Sequence, residues 1–88
     1  MSYPAFSENP NVLAVAILEM CRLKRGHPFY PEEVVRWIYP ESWRYFVEEV
    51  LEEMMKLYRL GKIEVTQNQI PVPFIGIPRG EVSITFEF

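Results

Sequence analysis

"ESWRYFVEEVLEEMMKLYRLGKIEVTQ", Glu41 to Gln67, is the stretch whose reading decides the fold. In its first two thirds, apolar residues recur every three to four positions. Trp43, Phe46, Val47, Val50, Met54, Leu57 and Tyr58 therefore share one face of a helix, the third along the chain. Tyr45, Glu48, Glu52, Lys56 and Arg59 fall on the opposite face. Ser42 is the expected N-cap and Gly61 the stop. After Gly61 the period drops to two. Ile63, Val65 and Gln67 alternate with Glu64, Thr66 and Asn68, the pattern of a half-buried strand.

Working outward to the C-terminus, Val82, Ile84 and Phe86 alternate with Ser83, Thr85 and Glu87, which predicts a second strand. Between the strands runs a loop of about a dozen residues, long for a hairpin. It is apolar where exposed loops are usually polar. Ile70, Val72, Phe74, Ile75 and Ile77 are interleaved with Pro71, Pro73 and Pro78, and Arg79 is its charge. The prolines cut the entropy lost on ordering and remove backbone donors that would invite strand pairing. Such a loop needs a dry surface. Two readings stay open: it folds back over its own helices, or it packs on another chain together with Val15, Leu18 and Met55.

Working outward to the N-terminus, Pro40 separates the third helix from "HPFYPEEVVRWIYP". His27 to Tyr30 reads as a short extended piece, because residues before proline avoid the helical region. Pro31 starts a second helix, with Glu32 and Glu33 in its positive first turn and Val34, Val35 and Ile38 inward. Glu32 and Arg36 are spaced as an i,i+4 ion pair. A first helix is expected from about Pro10 to Arg25, capped by Asn9 and stopped by Gly26. Its face is Val12, Leu13, Ala16, Ile17, Met20 and Leu23, with Val15 and Leu18 on the other side. Residues 1–8 form an arm that Tyr3 and Phe6 either pin to the body or leave frayed.

The predicted order is helix, short strand, helix, helix, strand, loop, strand, in one domain spanning residues 1–88. That is an α+β winged helix-turn-helix layout: three helices, a short strand between the first and second, and a C-terminal β-hairpin wing. The expected core is Leu13, Ile17, Val34, Ile38, Trp43, Phe46, Val50, Met54, Leu57, Ile63, Val65 and Ile84.

"YPEEVVRWI", the Glu41–Gln67 stretch and "IPRGEVSI" together resemble a small bacterial family, domain of unknown function family 3253. The likeness covers roughly Asn11 to Phe86. Its most specific part runs from Trp43 to Gly61, Ile63, Thr66 and Gln67, and Arg79-Gly80 also fits. The resemblance implies a winged-helix fold and brings no activity, cofactor or catalytic residue. Members of that family typically carry a cysteine just before the proline of the second helix, where this chain has Tyr30. They often carry small polar or basic residues where it has Asn68, Gln69, Ile70 and Pro71. The wing thereby lacks cations that would meet a phosphate backbone.

Composition bounds the function classes. Nine Lys and Arg against twelve acidic residues, all Glu, give a net charge of −3, which is the wrong sign for a nucleic-acid footprint taken as a whole. One cysteine and one histidine exclude an internal disulfide and argue against a structural zinc site within one chain. No secretory pattern opens the sequence, and its longest apolar run is too short for a bilayer. The expectation is a cytoplasmic protein with no membrane, cofactor, metal or small-molecule substrate. An enzyme is not expected. His27 has no neighbouring carboxylate, Cys21 reads as a buried thiol, and Glu48 with Glu52 reads as a solvated stripe.

Two functions remain. In a helix-turn-helix, the start of the second helix of the motif contacts base edges and flanking cations meet phosphates. Double-stranded DNA would then meet Arg44, Tyr45, Lys56, Lys62 and Arg79, with Arg36 and Arg59 in support, against opposition from Glu41, Glu48, Glu49, Glu52 and Glu53. The alternative is a protein-interaction or homodimerisation module without DNA, using Ile70, Val72, Phe74, Ile75 and Ile77.

Overall fold

A computed structural model describes residues 11–86. These fold as three α-helices and a small three-stranded antiparallel sheet. Helix α1 spans Val12–Lys24, α2 Pro31–Ile38 and α3 Val47–Arg59. A 3-10 turn, Trp43–Phe46, leads into α3. Strands β1 (Glu64–Gln67), β2 (Ile70–Pro71) and β3 (Ser83–Thr85) lie in the order β2-β1-β3.

Helix α1 begins two residues later than the spacing predicted. The expected cap Asn9 and the proline after it lie outside the described residues, as does the 1–8 arm. Asn11 is the cap, its side-chain oxygen accepting from the Leu13 N–H at 2.7 Å. The helix ends at Lys24, one residue earlier than expected, because Arg25 itself turns left-handed (φ 54°) and donates its N–H to the Cys21 carbonyl. Helix α2 starts at Pro31 as expected. The Glu33 carboxylate reaches back to accept the Tyr30 N–H at 3.0 Å.

The third helix departs from the prediction at its start. Ser42 makes no side-chain cap bond, and the first turn is the tighter 3-10 form. Three aromatics crowd that turn. Phe46 stacks on Tyr39 with centroids 3.9 Å apart, and the Trp43 ring is covered by guanidiniums from Arg36 and Arg44. At the other end Gly61, at φ 76°, closes the helix. Its N–H bonds the Tyr58 carbonyl and the Lys62 N–H bonds the Leu57 carbonyl, the paired bonds of a Schellman motif.

The hairpin is more structured than expected. Asn68 and Gln69 both take positive φ (54° and 67°), which makes a two-residue type I′ turn and returns the chain as β2 beside β1. Only then does the chain loop out, before coming back as β3 on the other side of β1 with Val65 opposite Ile84. The short strand expected between α1 and α2 is a single bridge. Phe29 exchanges both backbone bonds with Ile84, at 3.1 and 2.8 Å.

Nine of the twelve predicted core residues are buried; Ile38, Trp43 and Phe46 pack only partly against the core. Met55, which the sequence offered to an interaction surface, is buried with Met54. No helix among the described residues is long and apolar enough to cross a membrane.

Candidate functional site

Two surfaces carry the residues singled out above, one at each end of α3. The first is built on the 3-10 turn. Trp43 is half-buried, with the Arg36 guanidinium 4.2 Å and the Arg44 guanidinium 4.7 Å from its ring centroid. Each contact is a cation–π interaction at a partly exposed site, where about 0.5–1 kcal/mol is typical. Arg36 is therefore engaged with Trp43, and the Glu32–Arg36 ion pair expected from spacing does not form. Next to this stack Tyr45 is 87% exposed, and its side chain makes no ring contact or hydrogen bond among the described residues; its backbone N–H donates to the Ser42 carbonyl at 3.0 Å. An open cleft of about 480 Å³ lies alongside, lined by Tyr30, Glu32, Glu33, Arg36, Trp43, Val47 and Glu81. Glu33 is engaged there by the Lys24 ammonium at 3.3 Å.

The second surface is the loop after β2, and it lies partly on its own helix. Val72 is buried, its N–H bonds the Val65 carbonyl, and its carbonyl accepts the buried Tyr58 hydroxyl at 2.6 Å. Val72 therefore belongs to the core and not to the exposed set in which the sequence placed it. Phe74 stacks on the Tyr58 ring at 4.5 Å, and the Arg59 Nε donates to the Phe74 carbonyl at 2.6 Å. Near the loop's return, the Gln67 amide donates to the Arg79 and Glu81 carbonyls. Ile77 settles beside Met55, Glu52, Lys56 and Arg59 around a hollow of about 150 Å³. Ile70, Phe74, Ile75 and Ile77 nonetheless stay 67, 56, 91 and 41% exposed.

The four candidate cations and Tyr45 do not form one cluster. Twelve residues separate Arg44 from Lys56, roughly 18 Å along a helical run. Lys56 pairs with Glu53 at 3.3 Å. Lys62 and Arg79 are exposed, and their side chains have no partner among the described residues. The carboxylates are also redistributed. Glu49 accepts the Asn11 amide at 2.8 Å, tying the start of α1 to the first turn of α3. Glu53 is half-buried beside Lys56, which leaves Glu41, Glu48 and Glu52 in the open. Spacing gives no signal for Asn11–Glu49, Arg36–Trp43 or Arg59–Phe74, because each joins two elements.

The single thiol is buried in α1, and loss of hydration pushes Cys21 up to about 11, so it stays protonated and unreactive at neutral pH. Among the described residues no three of His, Cys and Glu gather as a metal site needs.

Against this geometry, a family model described as Protein of unknown function (DUF3253) matches residues 10–84, nearly all of the described chain. The chain belongs to the DUF3253 family. The match includes both ends of α3 and most of the sheet, so the two surfaces lie within the matched span. None of the curated proteins matches the chain.

Proposed function

We propose that this DUF3253 member is a winged helix-turn-helix domain that contacts duplex DNA with the N-terminal end of its third helix. The element order supports the fold reading: α1, a bridging residue at Phe29, α2, α3, then β1 and β3 with an excursion between them. In such a layout α3 is the element aimed at the groove and the β2–β3 excursion is the wing.

One observation carries the DNA reading. Arg44 and Tyr45 stand exposed at the start of the helical run, and the Tyr45 side chain is 87% exposed with no partner among the described residues. That end of a recognition helix is where base edges are read. Arg44 supplies a phosphate contact and Tyr45 a hydrogen-bond or stacking group. Lys62 and Arg79 add cations free to meet the backbone, whereas Lys56 and Arg59 are engaged within the fold. Glu48 and Glu52 oppose the contact from the same helix, so the affinity is weak and steeply salt-dependent.

The test is a fluorescence-anisotropy titration of a mixed-sequence duplex at low and at higher salt. Binding should weaken steeply as salt rises. Arg44→Ala should lower affinity about tenfold and reduce the salt slope by about one. Absence of binding at low salt, where electrostatics is most generous, overturns the reading. Unchanged affinity in Arg44→Ala removes the start of α3 from the interface.

A further inference from the structure

The loop after β2 carries four apolar side chains that its own fold leaves in water: Ile70, Phe74, Ile75 and Ile77. It is also well anchored. Tyr58 holds Val72, Arg59 holds Phe74, Gln67 holds the return, and Pro71, Pro73 and Pro78 restrict the backbone between. A loop preorganised in this way loses little entropy on docking. Beside it lies the hollow of about 150 Å³ around Ile77. The hollow is open and lined by Met55 and Ile77 together with Glu52, Lys56 and Arg59, and its volume admits one aliphatic side chain.

We propose that the chain forms a two-fold homodimer in which Ile75 of each copy enters the hollow beside Ile77 of the other. Three observations select a second copy as the occupant. The first is that projection and hollow lie two residues apart in one loop, and a two-fold contact needs both on the same patch. A second is the mixed charge around the hollow. Glu52 has no partner among the described residues, while Lys56 and Arg59 beside it keep donors beyond those given to Glu53 and the Phe74 carbonyl. A two-fold axis allows Glu52 of one copy to meet the remaining donors of those cations on the other. The third is area. The four side chains offer on the order of 500 Å² per chain, hence roughly 1,000 Å² for a pair, at the lower limit of specific interfaces. A weak dimer of micromolar or higher dissociation constant follows. Strand addition is not the mode, because the edge strand β2 has two residues and one is Pro71.

This inference is independent of the DNA reading. Sedimentation equilibrium of the full chain from about 1 µM to about 1 mM tests it, the span in which such a dimer forms. The expected mass rises from one chain to two. Ile75→Glu should stay a single chain throughout while keeping the wild-type thermal midpoint, because Ile75 supports nothing in its own fold. Glu52→Lys, a surface change, should weaken the dimer. A single-chain mass for the wild type at every concentration overturns the proposal, as does an Ile75→Glu protein that dimerises normally. Duplex DNA or anionic vesicles that bind a monomeric wild type and not Ile75→Glu also overturn it, by identifying another occupant. A dimer that binds no duplex supports the proposal and removes only the DNA reading.

Discussion

Tyr45 and Tyr58 stand at opposite ends of one helical run, and their surroundings differ completely. At the C-terminal end the ring of Tyr58 is buried, its hydroxyl is bonded to the Val72 carbonyl, and Phe74 lies stacked on it. That end is a seat for the chain's own loop, and it draws the helix's cations inward: the Arg59 Nε to a loop carbonyl, Lys56 to Glu53. The N-terminal end is held by other means. Phe46 stacks on Tyr39, Trp43 lies under two guanidiniums, and Asn11 holds Glu49. Tyr45 takes no part in any of it. A long amphipathic helix can thus be structural at one end and available at the other, and its polar face alone does not reveal which end is which.

Breaking the C-terminal end should have the largest effect. Tyr58→Ala removes a buried ring, the support for Phe74 and the donor to Val72, and should cost about 3–5 kcal/mol in urea denaturation. In a domain of this size that is a large share of the total stability. Tyr58→Phe provides the graded form: the ring stays, the Val72 carbonyl loses its partner, and the expected cost is about 1–2 kcal/mol. A cost below about 0.5 kcal/mol for Tyr58→Ala, the size of an ordinary surface change, would mean that the loop does not depend on this end of α3.

The next effect belongs to the N-terminal end. Asn11→Ala removes both the α1 cap and the bond to Glu49, so destabilisation of about 1–2 kcal/mol is expected. Glu49→Gln keeps an acceptor for the Asn11 amide while removing the charge. It should recover most of that difference if the hydrogen bond, and not the carboxylate's charge, is what ties α1 to α3. Thermal midpoints of the three proteins would decide between them.

These contrasts were only half legible in the chain. The α3 face and the switch of period at Gly61 could be read directly, because both signals repeat along one element. The strand β2 could not. Its turn is Asn68-Gln69, and glutamine at a left-handed position lacks the Asn-Gly signature that marks a type I′ turn. The loop showed that it needed a dry surface but not which residue enters it. Proline and isoleucine alternate there without a periodicity that separates buried Val72 from exposed Ile75. Trp43 and Phe46 counted as core because they are large and in phase. Arginines and a tyrosine cover them in part instead, and pattern counting assigns no such role to a guanidinium. Met55 went the other way: it sits beside the apolar stripe in phase, and the returning Ile77 helps enclose it.

The smallest expected effect is the most discriminating. Tyr45→Ala should change stability by no more than about 0.5 kcal/mol, as for an exposed residue with no partner. Folding gains nothing from a large aromatic held in water at that position, since an alanine has the higher helix propensity. If the site is used for binding, the same variant should lose duplex affinity while its urea midpoint stays put, the opposite of the behaviour expected of Tyr58→Phe. A cost of 1 kcal/mol or more for Tyr45→Ala, an amount on the scale of a lost hydrogen bond, would show that the ring supports the 3-10 turn after all. The two ends of the helix would then differ in degree and not in kind.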